Sequence, residues 1–287
     1  MKISINEGYF RRTYDGNKQR NMFEAIQFCR DGGFENIDFD LGSSLPEQNL
    51  ILREKYIEDT KLLREFCDRN GVEIDQSHAR FDYVNIKRED FKPQMIRTVE
   101  VSKILGVKNI VIHADSYYDP DIDVSVKRIY EDYSPMVEVA KKCGVNIAIE
   151  TLFENQLPKD EKRWRFTSTV EELDAIVSKF NDPCVGICWD FGHAKVMYEE
   201  KQFEQMKRVG DKIIATHIHD NYYSQDLHLP PYLGKTDWKE GLQTLKEIGY
   251  AGTLTLEIVY GCLPDELLME YLRFCRKVVG HMAKCLE

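Results

Sequence analysis

Groups able to bind a metal or move a proton recur where apolar runs of this chain stop. IIATHIHDN (213–221) closes on His217, His219 and Asp220; NIAIE closes on Glu150, GICWD on Asp190 and TLTLE on Glu257. Two further runs, EIDQSH and NIVIH, end on His78 and His113. Such groups are costly to desolvate unless something binds them. Three carboxylates brought together in a dry site would repel one another by several kcal/mol. A divalent cation removes that conflict, and mixed carboxylate and imidazole donors suit Mn2+, Zn2+, Fe2+ or Co2+, with Mg2+ also open. The reading from residue types is a metal site made of Glu150, Asp190, His217 and Glu257.

Each residue taken alone has a plainer explanation. A single His at a strand end is more often a hydrogen-bonded structural residue, and a lone Asp or Glu there is usually a helix cap. The repetition of ligand types at six run ends is what favours a metal. Around that set, His193 lies three residues past Asp190, suited to binding metal, touching substrate or capping the next helix. Asp226 and His228 lie on a Pro-containing loop, SQDLHLPPYLGKTDW, that would otherwise be a solvated turn. His219 is in phase with His217 and suits a supporting position behind the ligands. His281 reads as a surface or structural residue.

These groups need a scaffold that brings eight run ends together. Strand-like runs recur at KISIN (2–6), NIDFDL (36–41), VEIDQSH (72–78), KNIVIHA (108–114), VNIAIET (145–151), VGICWDF (185–191), KIIATHIHD (212–220) and TLTLEIV (253–259). Segments of helical period lie between them, among them MFEAIQFC, DTKLLREFCDRN, MIRTVEVSKIL, YSPMVEVAKKC, TVEELDAIVSKF and WKEGLQTLKEI. Gly33, Gly71, Gly106, Gly144, Gly210 and Gly249 each stand where a left-handed residue would end a helix before the next strand. The alternation implies a parallel sheet with right-handed crossovers. Eight units fit one closed (β/α)8 TIM barrel over residues 1–287, α/β in class, better than an open sheet. DELLMEYLRFCRKVVGHMAKCLE would be its closing helix. In such a barrel the active site lies at the C-terminal strand ends. Parity agrees: in NIAIE, Ile147 and Ile149 share the face toward the helices, while Ala148 and Glu150 share the inner one. Cys188 and Ala215, in phase with Asp190 and His217, leave room above them.

Composition narrows the function classes. The chain is 43% hydrophobic and 31% charged with a net charge of −10, as for a globular protein with a sizeable core. The acidic balance argues against nucleic acid as a partner, although KRWR (162–165) and Arg11–Arg12 are local basic clusters. Eight cysteines without a CxxC pair read as reduced thiols, which favours a cytoplasmic location. The start, MKISINEGYF, offers no signal peptide, and no apolar run is long enough to span a bilayer. No Gly-rich turn follows the first strand, so neither a nicotinamide nor a flavin cofactor is expected. Assembly into a homo-oligomer is left open.

Over nearly its full length the chain resembles the xylose isomerase-like TIM barrels, which include sugar phosphate isomerases/epimerases and endonuclease IV. The resemblance rests on IVIHA, IAIETL, WDFGHA, THIHDN, the DLHLPPYLGKTDW loop and GTLTLEIVYG. It implies one metal held by Glu150, Asp190, His217 and Glu257, with Glu150 and Glu257 as the acid/base pair and His193 binding substrate. It also implies a small-molecule sugar as partner. The endonuclease IV pattern, with three zinc ions, maps onto His78, His113, Glu150, Asp190, His193, His217, Asp226, His228 and Glu257. TDWKEGLQTLKEIGYAGTLTLEI is closer to the sugar isomerase branch. ETLFENQLP lacks an arginine usual in ketose 3-epimerases, and Tyr223 stands where those enzymes tend to carry another.

The resulting expectation is a metal-dependent sugar or sugar phosphate isomerase/epimerase. One glutamate takes a proton from carbon, the other returns one, and the metal stabilises the enediolate between. The alternatives are a multi-zinc abasic-site nuclease and a related dehydratase or lyase acting on sugar derivatives. Phe10, Phe81, Tyr117, Phe153, Trp164, Trp189 and Tyr222, near the strand ends, are candidates for a wall around the sugar, and Lys235 for a phosphate contact.

Overall fold

A computed structural model describes residues 1–11, 20–81, 86–114, 118–154, 165–222, 225–261 and 263–287. Eight parallel strands close on themselves in chain order: β1 (Ile3–Asn6), β2 (Asn36–Asp40), β3 (Glu73–His78), β4 (Asn109–Ile112), β5 (Asn146–Glu150), β6 (Val185–Asp190), β7 (Ile213–Ile218) and β8 (Leu254–Leu256). β8 pairs back onto β1, with Leu256 beside Ile5. The closed ring leaves no exposed sheet edge.

Outside the ring run α1 (Met22–Asp31), α2 (Tyr56–Asn70), α3 (Arg88–Leu105), α4 (Ile122–Cys143), α5 (Val170–Phe180), α6 (Phe191–Tyr198), α7 (Gln202–Arg208), α8 (Trp238–Glu247) and α9 (Asp265–Leu286). Reciprocal caps set some of their starts. Thr169 accepts from the Glu172 amide while Glu172 returns a bond to Thr169, and Asn21 and Glu24 do the same for α1. The β6–β7 crossover is built from two short helices, α6 and α7, which no amphipathic repeat had announced. Asp190 caps α6, and Glu199 at φ 52° breaks the chain before α7.

Gly33, Gly71, Gly106, Gly144 and Gly249 take the expected left-handed conformation. Gly210 does not. It opens a 3-10 turn over 210–212, and its lack of a side chain serves close packing, since a Cβ there would meet Ile248 Cγ2 at 2.5 Å. Asn181 (φ 46°) ends α5 where no glycine was available.

The core is layered. Ile147, Ile149, Ile187, Trp189 and Leu256 face the helices in the large outer layer, where each buried aliphatic side chain contributes about 1.5–3 kcal/mol. Val111, Ala148, Cys188 and Ala215 form a small separate cluster inside the ring. These small residues leave the space above them to polar groups. Among the described residues no helix is long and apolar enough to cross a membrane.

Candidate metal centre

His78, Glu150 and Asp190 are the last residues of β3, β5 and β6; His217 stands one residue before the end of β7, and His113 and Glu257 one residue beyond β4 and β8. Alternation along each strand turns all six inward, and all are buried. The β6–β7 register sets Asp190 beside His217, and the β7–β8 register sets His217 beside Thr255, one residue pair below Glu257.

Donor atoms converge on His217. Its Nδ1 lies 3.3 Å from Glu150 Oε1, 3.4 Å from Glu257 Oε2 and 3.5 Å from Asp190 Oδ2. These four residues offer atoms all within 4.8 Å of one another. Oxygen or nitrogen ligands each about 2.0–2.2 Å from one ion stand roughly 3–3.5 Å apart, which matches these contacts. Glu150 Oε1 and His217 Nδ1 are buried and make no hydrogen bond among the described residues. Two orphaned polar atoms aimed at one point fit a cation between them.

The surrounding groups orient the four. His113 Nε2 and His78 Nε2 approach Glu150 Oε2 at 2.9 and 3.3 Å, and the Tyr133 hydroxyl donates to the His113 carbonyl at 2.9 Å. The His193 amide donates to Asp190 Oδ1 at 2.7 Å, and its Nδ1 lies 2.9 Å from the Thr151 carbonyl. His219 Nε2 supports Asp190 Oδ1 from 2.9 Å. Beside them, His193, His219, Asp226 and His228 form a second group whose donor atoms lie within 4.8 Å of one another. His228 donates from Nδ1 to the Glu257 carbonyl at 2.8 Å and faces Asp226 Oδ2 from Nε2 at 3.1 Å.

The charge balance follows from burial. Burial works to raise the Glu150 carboxyl, but the imidazoles of His113 and His217 outweigh it and hold Glu150 well below the usual carboxylate range. The same opposition, with the imidazoles of His193 and His219 outweighing burial, lowers Asp190. Glu257 is lowered to about 2: burial opposes the shift, and His217 and His78 drive it. Conversely, burial would strip protons from His78 and His228, yet the facing carboxylates of Glu150 and Glu257 raise the first to about 10 and that of Asp226 raises the second to about 9. Ionised carboxylates thus draw positive charge into the barrel mouth, and a divalent ion is the alternative to protons on the imidazoles.

Several members of this site do not stand out in the sequence. Asp38 and Gln76 pair across β2–β3, one inward step below the strand ends. Gln76 Nε2 lies 3.0 Å from His217 Nε2, and Asp38 Oδ2 stands 3.8 Å behind the same nitrogen. Asn6 Nδ2 donates to Asp38 Oδ2 at 3.2 Å and to Glu257 Oε1 at 3.3 Å. Tyr9 OH reaches His228 Nδ1 at 3.4 Å. The polar alternation of NIDFD was the available signal for Asp38. Asp220 has a structural task instead: its carboxylate accepts bonds from the amides of Asn221, Tyr232, Gly234 and Thr236 and from the Trp238 indole, all between 2.8 and 3.1 Å. It thereby folds back the loop that carries Asp226 and His228.

The aromatic candidates divide. The Phe81 ring lies 4.2 Å from that of His113, and Phe153 4.8 Å from that of His193. Phe10 and Trp189 are not part of the mouth. Both are fully buried in the outer layer, Phe10 against Phe28 and Tyr260, because strand parity and the turn after β1 direct them toward the helices. Tyr222, Lys235 and His281 are exposed. Tyr117, Trp164, Tyr223, Arg12 and most of KRWR lie outside the described residues.

Known proteins share this architecture. The uncharacterized protein MJ1311 of Methanocaldococcus jannaschii is 28% identical over 265 residues, covering 87% of this chain and 86% of its own. L-ribulose-5-phosphate 3-epimerase UlaE of Shigella flexneri is 21% identical over 212 residues, 72% of this chain and 70% of that protein. The match to the uncharacterized protein y4fM of Sinorhizobium fredii, 28% identical, takes in 55% of this chain and spans half (50%) of that protein. Among solved structures, a D-tagatose 3-epimerase-like protein superposes with a TM-score of 0.74 at 21% identity, covering 100% of this chain and 98% of the other. The IOLI protein, solved with a bound zinc atom, also gives 0.74 at 21% identity, with 98% of each chain covered. Residues 26–278 match the family model described as xylose isomerase-like TIM barrel, and the chain belongs to that family.

Proposed function

We propose that this protein is a divalent-metal-dependent sugar isomerase or epimerase with its active site at the C-terminal strand ends. The observation that carries the reading is the convergence of Glu150, Asp190, His217 and Glu257, with Glu150 Oε1 and His217 Nδ1 lacking hydrogen bonds among the described residues. The likeness to UlaE supports a sugar as substrate. Glu150, Asp190, His217 and Glu257 would hold the ion, which when bound would supply Lewis acidity toward a carbonyl oxygen and its neighbouring hydroxyl.

The proton chemistry falls to the two glutamates. Their nearest oxygens are within 4.8 Å of each other, so one can take a proton from a sugar carbon while the other returns one to the opposite face or the adjacent carbon. His113 and His78 fix Glu150 through Oε2, and Asn6 and His78 approach Glu257 at Oε1. Phe81 and Phe153, beside His113 and His193, would keep water from the reacting carbons.

The test is solvent deuterium incorporation into a panel of ketoses, aldoses and their phosphates, with added metal, beside cleavage of an abasic oligonucleotide. Exchange should require metal and fall by roughly 10²–10⁴-fold in Glu150→Gln and Glu257→Gln, mainly in turnover. Oligonucleotide cleavage that is lost in His228→Ala, with no deuterium entering any sugar, would overturn the isomerase reading.

A further inference from the structure

The outward face of α9 is patterned in a way that catalysis does not use. Leu268, Leu272, Cys275, Val279 and Met282 turn inward and are fully buried. On the opposite side Leu267 is 53% exposed and Phe274 43% exposed. His281 continues their line, because a seven-residue repeat returns to nearly the same side of a helix. Tyr232, 49% exposed, packs its ring 6.4 Å from that of His281, and Leu233 beside it is 45% exposed.

The charges along this strip are sorted by sign. Before Phe274 the strip carries exposed Glu266 and Glu270, with Arg273 paired to Glu270 at 2.7 Å, and after it Lys277 and Lys284. Lys277 and Lys284 line a concavity of about 580 Å³ with Arg276, His281 and Glu287, the last paired with the Met1 amine at 3.1 Å. A surface with acid at one end, base at the other and an aromatic ring between is complementary to itself when rotated by 180°. With Phe274 near a two-fold axis, Leu267 of one chain comes opposite His281 and Tyr232 of its copy. Glu270 then comes opposite Lys277, and Glu266 opposite Lys284, within about one turn.

We propose that this face binds a second copy of the chain, α9 packing antiparallel on α9 around Phe274 in an isologous dimer. A free anion would satisfy the basic half but leave Leu267 and Phe274 in water; a wholly apolar partner would leave the charges without one. Only a partner that is acidic, apolar and basic in the reverse order satisfies both, and the chain itself has that order. One helix and one loop fall at the lower end of interface sizes, so dissociation in the micromolar range is expected.

Sedimentation equilibrium of the full-length protein tests this from micromolar to several hundred micromolar concentration. Wild type should form dimers, and Phe274→Glu, which places two like charges at the axis, should remain monomeric. Glu270→Lys and Lys277→Glu should each weaken the dimer about 10–100-fold, because every pair occurs twice across the axis. The double variant, with the charges exchanged, should recover most of the wild-type affinity; circular dichroism on each variant establishes that it is folded. A wild type that stays monomeric throughout the range would overturn the proposal, including one whose basic concavity binds only phosphate. So would a dimer indifferent to Phe274→Glu, or single reversals that the double variant fails to rescue. The outcome is independent of the sugar chemistry, which the deuterium assay reads separately.

Discussion

Gly192→Ala adds one methyl group to α6 and should disturb the candidate metal centre through a residue outside the proposed ligand set. A Cβ at position 192 would lie 1.8 Å from His219 Cε1 and 2.2 Å from its Nδ1. Carbon atoms pack at about 3.5–4.0 Å, so the ring would have to retreat by about 2 Å. There is no room for that. The His219 ring is fully buried, stacks on His228 with centroids 4.1 Å apart and holds Asp190 Oδ1 from 2.9 Å. Two effects therefore oppose each other. Alanine is the better helix former by about 1 kcal/mol, but overpacking a filled site costs about 1–3 kcal/mol. With a contact this short the clash should win, lowering stability and, by turning His219 away from Asp190, weakening divalent-metal affinity about 10–100-fold. Urea unfolding of the metal-free protein and calorimetric titration with Mn2+ or Zn2+ read the two consequences. The sign of the effect should depend on His219: in a His219→Ala background the ring is gone, and the same methyl group should be neutral or stabilising by up to about 1 kcal/mol. If Gly192→Ala left metal affinity unchanged, or had the same effect on stability in both backgrounds, the reasoning would be wrong.

Asp220→Ala should cost on the order of 3–5 kcal/mol, because it takes the acceptor from four amides and the Trp238 indole, at about 1–3 kcal/mol for each buried donor left unsatisfied. It should also speed amide exchange at Tyr232, Gly234 and Thr236; unchanged protection there would mean that Asp220 does not hold the loop. Thiol chemistry should be equally selective. Burial pushes the Cys67, Cys188 and Cys275 thiols up to about 12, so almost none is thiolate at neutral pH, whereas Cys285 is exposed. In a Cys143→Ser/Cys262→Ser background a disulfide reagent should therefore show a fast phase that Cys285→Ser removes, with the buried thiols reacting only on unfolding; rapid native-state labelling of Cys188 would contradict the closed inner layer.

The six inward-facing polar groups at the strand ends were legible from local rules. A strand alternates its faces with period two, so Ala148 and Glu150 had to share a face whatever the rest of the chain did. Helices alternating with strands required parallel order, and eight units suited closure. What lies deeper in the barrel depended on neighbours far apart in sequence. Asn6 meets Glu257 only because β1 pairs with β8 across a separation of 251 residues. Asp38 stands behind His217 at a height fixed by a register shift between Ile37 and Asp38 on β2. Asp220, Gly192 and His219 likewise took their roles from contacts between different elements. Sequence by itself thus determined which strand residues face the axis and which of them could bind a cation. The tertiary structure decided which of those groups touch, which aromatic rings turn outward, and how the Asp226–His228 loop folds back. The physical reason is that side-chain direction is a property of the local backbone, whereas register and ring closure arise from pairing between segments that no local pattern encodes.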